Sequence, residues 1–205
     1  MSVLKNKLPN ILTFVRIVTI PIIIYSFYIY SRIINIISAT LFGFASLTDF
    51  LDGYLARKNK VQSNFGRCFD PIADKLLVSV TLIMLINFSD QNLYILIPSV
   101  IIICREILVS GLREFLATIN VKLPVIYLGK LKTTIQMIAI TALLLAGHGS
   151  DYVYGEIMEF IDVNEIVRVN FEGYIQLIGE IGLSISAFLT ILSGYIYLRL
   201  GMKHF

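Results

Sequence analysis

Six stretches without Asp, Glu, Lys or Arg, at 17–31, 33–48, 76–89, 91–104, 133–149 and 181–198, limit what this sequence can fold into. A helix that crosses the hydrocarbon core of a bilayer needs roughly 20 mainly apolar residues, within about 17–25. Most of the runs fall a little short, so each is completed by a polar or charged end. With 57% hydrophobic and 15% charged residues and a mean hydropathy of +0.80, the 205-residue chain is too apolar for a soluble domain. Its apolar residues are also spread too evenly for a soluble domain with one anchor. The reading is an all-α integral membrane protein of one domain, 1–205. It has six transmembrane helices at about 11–31, 33–57, 67–88, 93–116, 125–147 and 174–198. A short N-terminal interfacial segment precedes the first.

Lys5 and Lys7 stand before an apolar stretch that no small-residue cleavage site follows, so a cytosolic tail is expected rather than a signal peptide. The cation bias sets the orientation. Of 17 Lys and Arg residues, only Arg32 and Arg168 fall on the outer side when the N-terminus is inside. Six spans return the C-terminus to the cytosol. The segment 149–173 carries Asp151, Glu156, Glu159, Asp162, Glu165 and Glu172 and forms an acidic extracytoplasmic loop. Cys68 and Cys104 share no metal-ligand or redox spacing. His148 and His204 have no ligand partner nearby, and nothing in the pattern points to nucleic acid.

Charged side chains at membrane depth are costly unless they face protein, water or an ion. Arg16, Asp49, Asp52, Asp74, Arg105, Glu106, Lys130 and Lys132 all interrupt the helices toward their cytosolic halves. A shared depth on several helices implies one polar cavity open to the cytosol, under a dry outer half. Glu180, on the outer half of the sixth helix, has no place in that scheme.

The stretch "LTDFLDGYLARKNKVQSNFGRCFDPIADKLL", 47–77, lies at the centre of this pattern. Asp49 and Asp52 are spaced i, i+3 and Asp70 and Asp74 i, i+4, so each pair projects from one helix face. The connection 58–66 is short enough to set the two helices side by side. Like charges so close destabilise one another unless something positive lies among them. Neighbouring Arg57, Lys58, Lys60, Arg67 and Lys75 could neutralise them on a wet helix end. Four hard-oxygen donors also suit two Mg²⁺ or Mn²⁺ ions. Gly53, Ala56 and Gly66 beside the carboxylates let a ligand approach the backbone, although glycine costs a helix about 0.5–1 kcal/mol relative to alanine. Arg57 at the same end suits a phosphate. Metals, a phosphate pocket and membrane depth together point to phosphoryl-type transfer on a lipid.

The spacing D-x₂-D-G-x₂-A-R-x₈-G-x₃-D-x₃-D is filled at every fixed position by Asp49, Asp52, Gly53, Ala56, Arg57, Gly66, Asp70 and Asp74. It resembles the signature of the CDP-alcohol phosphatidyltransferase family. The resemblance implies a six-helix membrane enzyme, expected as a homodimer, that displaces CMP from a CDP-linked donor with a hydroxyl acceptor. It implies that the four aspartates hold two Mg²⁺ or Mn²⁺ ions and that Asp74 also serves as the base. Thr48, Gly53, Ala56, Arg57 and Gly66 would border the cytidine diphosphate. Ser63 is a further contact or an ordinary loop serine. Asn10, Thr13 and Arg16 fall where the first helix would border the donor headgroup.

The motif concerns the donor, and the acceptor is read elsewhere. "CREILVSGLREF" in the fourth helix sets Arg105 and Arg113 eight apart, about 80° around the helix, so both can face one cavity. "LGKLKTTIQM" in the fifth carries Lys130 and Lys132, which cannot both point inward; one can snorkel to the interface. These cations are either flanks paired with Glu106 and Glu114 or an anionic pocket for a phosphorylated acceptor. Together with "LPNILTFVRIVTIPIII" they resemble the glycerol-3-phosphate-using bacterial branch of the family. That branch transfers the phosphatidyl group of CDP-diacylglycerol to sn-glycerol 3-phosphate in the cytoplasmic membrane, and the resemblance spans most of the chain but is not drawn for the acidic 149–173 segment. Rival readings keep the chemistry with another acceptor: phosphatidylglycerol as in cardiolipin synthases, serine, or an inositol phosphate. A divalent-cation transporter would place its aspartates near the midplane of repeated, broken helices, and no repeat is visible. A purely structural scaffold leaves the motif unexplained.

Overall fold

The computed structural model describes the backbone of residues 2–59, 64–119, 121, 127–147 and 163–202, and the side chains of 13–48, 69–119, 121, 127–147 and 172–202. Among the described residues the chain is entirely helical: α1 Ser2–Ser26, α2 Arg32–Asn59, α3 Asn64–Asn87, α4 Leu93–Thr118, α5 Tyr127–Ala146 and α6 Val163–Gly201. Among the described residues, three helical stretches are long and apolar enough to cross a membrane: Leu93–Thr118, Tyr127–Ala146 and Glu172–Gly201. Thr13–Ser26 and Arg32–Thr48 are shorter apolar helical stretches. Outward-facing Phe14, Tyr25, Phe44, Ile107, Ile138 and Phe188 are exposed, a surface suited to lipid rather than water.

Two boundaries depart from the sequence reading. The first helix begins at Ser2 rather than near 11, so the N-terminal segment is itself helical and runs into the apolar stretch without a break, although Pro9 lies within it. The last helix starts at Val163 rather than near 174, because residues 163–172 hold neither Gly nor Pro to stop it. Part of the acidic 149–173 segment is therefore helical. At about 1.5 Å per residue, the 39 residues of α6 span about 58 Å, well beyond the roughly 30 Å hydrocarbon core.

The other termini follow local chemistry. Asn92 caps α4, its side chain accepting from the Tyr94 N–H at 2.9 Å. Gly147 closes α5 at φ +87, donating its N–H to the Leu143 carbonyl at 3.2 Å. Beyond α1, Phe27 and Tyr28 pack against Phe88 at the end of α3, with ring centroids 5.5 and 5.2 Å apart. At the same end Glu180 accepts from Asn92 at 2.8 Å and Gln176 at 2.9 Å. Its carboxylate thus belongs to a polar clasp between α4 and α6.

The helices surround a core of Ile23, Phe42, Leu82, Ile102, Ile140 and Leu183. α1 packs against both α2 and α3, α5 against α2 and α6, and α4 against α3 and α6. Small residues bring α5 and α6 closest. A Cβ on Gly179 would stand 2.7 Å from Leu143 Cδ2 and 3.2 Å from the Ala139 carbonyl. Gly173, earlier on the same helix, faces open space. Gly179→Ala is therefore expected to destabilise the protein by about 1–3 kcal/mol through overpacking. Gly173→Ala should be neutral or slightly stabilising. Thermal unfolding of both variants in detergent checks this contrast.

Candidate active site

Among the described residues, two charged clusters lie inside the bundle. The first joins α1 to α3. Thr13 and Arg16, one turn apart on α1, are both buried, Arg16 to 2% exposure. They face Asp70 and Asp74, one turn apart on α3. The Thr13 hydroxyl donates to Asp70 Oδ1, and Arg16 Nη1 stands 3.1 Å from Asp74 Oδ1. A guanidinium this deep is tolerated because a carboxylate compensates it. Between the two aspartates sits Pro71, which has no N–H for the carbonyl four residues earlier and so loosens the hydrogen-bond ladder of α3 at this point.

The remaining members of the motif fall elsewhere. Asp49, Asp52, Gly53, Ala56 and Arg57 lie on the end of α2 and Gly66 on the first turn of α3, all in described backbone. Their side chains, and that of Asn10, lie outside the described residues, as does Ser63 altogether. Thr48, directly before Asp49, is half-buried and donates to the Ala45 carbonyl at 2.8 Å. From this end of α2 an apolar groove of about 790 Å³ runs between α2 and α5, lined by Leu47, Gly43, Met137, Ile138, Leu145 and Ile178.

The second cluster joins α4, α5 and α6. Lys132, 2% exposed, forms an ion pair with Glu106, which Arg105 also reaches at 3.4 Å. Arg105 donates to Ser193 at 3.0 Å, and Arg113 donates to the Tyr197 hydroxyl at 3.0 Å. Both guanidinium groups lie against the Tyr197 ring, at 5.6 Å for Arg105 and 5.0 Å for Arg113. Arg105 and Arg113 thus share one face of α4, as their spacing suggests. Lys132 joins them through Glu106. Lys130, about 200° away around α5, is exposed and does not join the cluster.

The clusters meet at one point of α3. Asp74 turns toward α1, while the adjacent Lys75 donates to Ser110 on α4. Ser110 lies one turn from Glu106 and one turn from Arg113, so the carboxylates and the cations share a depth. The sequence singled out Asp70, Asp74, Arg105, Arg113 and Lys132. It gave Tyr197 no role, and it counted Glu106 among the charges of the polar cavity and as a flank partner without pairing it to Lys132 in particular. A carboxylate within an apolar helix, next to an arginine, was the signal available for Glu106; the uncharged stretch 181–198 offers none for Tyr197.

A family model described as CDP-alcohol phosphatidyltransferase matches residues 6–168. Among similar proteins, the CDP-diacylglycerol–glycerol-3-phosphate 3-phosphatidyltransferase of Rickettsia bellii is 45% identical over 98% of this chain and 99% of its own length. Proteins of the same name from Cereibacter sphaeroides and Haemophilus influenzae are 35% identical over 97% and 40% identical over 69% of this chain, covering 96% and 77% of their own lengths.

Glu106 is expected to hold Lys132 in place against the cost of burial. Glu106→Gln should destabilise the fold by about 3 kcal/mol, and adding Lys132→Met should recover most of the loss. Unfolding of the single and double variants in detergent measures the coupling.

Proposed function

The chain belongs to the CDP-alcohol phosphatidyltransferase family, and from that premise we propose that it transfers the phosphatidyl group of CDP-diacylglycerol to sn-glycerol 3-phosphate. The products are phosphatidylglycerophosphate and CMP. The names of its relatives support this reading. The observation that carries the acceptor is the charge of the second cluster. Arg105 and Lys132 share one carboxylate, Glu106, while Arg113 is held by Tyr197, so the three cations carry an excess of two positive charges. A phosphate monoester carries about −1.5 to −2 near neutral pH. A neutral or zwitterionic acceptor would leave that excess uncompensated at membrane depth.

The donor side follows the motif. Asp49, Asp52, Asp70 and Asp74 would hold two Mg²⁺ or Mn²⁺ ions, and the donor set fits: hard oxygens at i, i+3 and i, i+4 spacing, two of them already turned inward onto α1. When bound, such ions neutralise the diphosphate and stabilise departing CMP. Thr13 and Arg16 fix the rotamers of Asp70 and Asp74. Asp74 takes the proton of the acceptor hydroxyl as its oxygen attacks the phosphatidyl phosphorus and the bond to CMP breaks. The groove between α2 and α5 starts beside Thr48 and suits an acyl chain of a donor that remains in the bilayer. Gly53, Ala56, Arg57 and Gly66 are assigned to the cytidine diphosphate.

Six spans with both termini in the cytosol accord with the cation distribution and place the site at the cytosolic face of a bacterial membrane. A homodimer is the assembly the family resemblance implies.

Purified protein in detergent, given CDP-diacylglycerol, Mg²⁺ and glycerol 3-phosphate, should release CMP and form phosphatidylglycerophosphate; chelation should stop it and Mg²⁺ restore it. Asp74→Asn should keep the fold and donor binding and lose about 10²–10⁴-fold in turnover. Normal turnover would remove Asp74 from the role of base. Arg113→Ala should raise the acceptor KM by about 10–100-fold and leave the donor KM unchanged. Equal changes in both would take Arg113 out of the acceptor pocket.

A further inference from the structure

Resting on the reading of Arg105 and Arg113 as acceptor ligands, we propose that Tyr197 is a positioning residue: its ring and hydroxyl hold the two guanidinium groups together as a preformed phosphate cradle. Two like charges on one helix face repel each other. A carboxylate between them would hold them, but would also cancel the charge the acceptor needs. An aromatic ring attracts a cation through its quadrupole and leaves the charge intact.

Arg105 and Arg113 illustrate the difference. Arg105 has a carboxylate, Glu106, and a hydroxyl, Ser193. Arg113 has no carboxylate of the described residues within ion-pair distance. It is held by the ring of Tyr197 at 5.0 Å and by the tyrosine oxygen at 3.0 Å. Its charge stays available, on an exposed side chain at the mouth of the cluster.

Tyr197 can do this because its seat is rigid. It is 1% exposed. Gly194 and Gly201, three residues before it and four after, share its helix face. A Cβ at 194 would stand 3.1 Å from Arg105 Cγ, and one at 201 would stand 2.8 Å from Leu112 Cδ1. Both glycines thus let α6 lie close against α4 on either side of the ring. Across the hydroxyl, the position a Cβ of Gly129 would take on α5 is 3.8 Å from the tyrosine oxygen, so that wall is close as well. Three helices fix the ring before any ligand arrives, and less order is lost when the acceptor binds.

The test uses the full-length protein in detergent with Tyr197→Phe and Tyr197→Leu. Acceptor KM, donor KM, kcat and melting temperature are measured, together with binding of inorganic phosphate by calorimetry. The phenylalanine variant keeps the ring and loses the oxygen, and its acceptor KM should rise about 5–10-fold. The leucine variant loses both, with an expected rise of about 30–100-fold. In both, kcat and donor KM should stay within about twofold of wild type. A phenylalanine variant with wild-type acceptor KM and phosphate affinity overturns the proposal. So does a leucine variant in which donor and acceptor KM rise together as the melting temperature falls. Should the leucine variant fail to fold, the phenylalanine variant decides. Phosphate binding separates this idea from the function it rests on. Wild-type protein that binds phosphate Tyr197-dependently but does not use glycerol 3-phosphate keeps the cradle and loses the acceptor. Wild-type protein that binds no phosphate loses the cradle.

Discussion

Lys132 carries its charge into the space between α4, α5 and α6, where water is scarce, and Glu106 is the group that makes this tolerable. A buried ammonium without a carboxylate would deprotonate or pull the helices apart. Once Glu106 is committed to Lys132, α4 and α5 are locked at one depth. Arg105 then shares a carboxylate already in use, and Arg113, a little over two turns further along α4, has none. The excess positive charge of the cluster follows from that single pairing.

Helix α3 ties this cluster to the carboxylates. Asp74 and Lys75 are neighbours in sequence and diverge by about 100°, so one meets Arg16 on α1 and the other Ser110 on α4. The same turn of α3 holds the inner edge of both clusters. Chemistry that joins a diphosphate to a phosphorylated alcohol needs such an arrangement: opposite charges kept apart at one depth, with the reacting groups between them.

Much of this was legible in the sequence because charges within apolar runs are expensive and therefore informative. Asp70 and Asp74 at i, i+4, Arg105 and Arg113 at 80°, and the rule that Lys130 and Lys132 cannot both turn inward describe the placements found for the described residues. Glu180, without a place in the sequence pattern, is explained by Asn92 and Gln176, which lie 88 and 4 residues away; only the fold brings the first of them near. Tyr197 stayed silent for the opposite reason. In "LSGYIYLRL" it reads as one more lipid-facing aromatic, and its partners are set by helix packing. The boundary of α6 failed because no breaker residue stands between 163 and 172, whereas α1 runs back to Ser2 although Pro9 lies within it.

The central claim is that the cation cluster reads a phosphate on the acceptor. It is tested most directly by comparing kcat/KM for glycerol 3-phosphate and for glycerol, with CDP-diacylglycerol and Mg²⁺ saturating. A site built to pair with a group rejects the analogue that lacks it, often by 10⁴–10⁵-fold. The account predicts a preference of about 10³-fold or more for glycerol 3-phosphate. Comparable use of the two alcohols would contradict it.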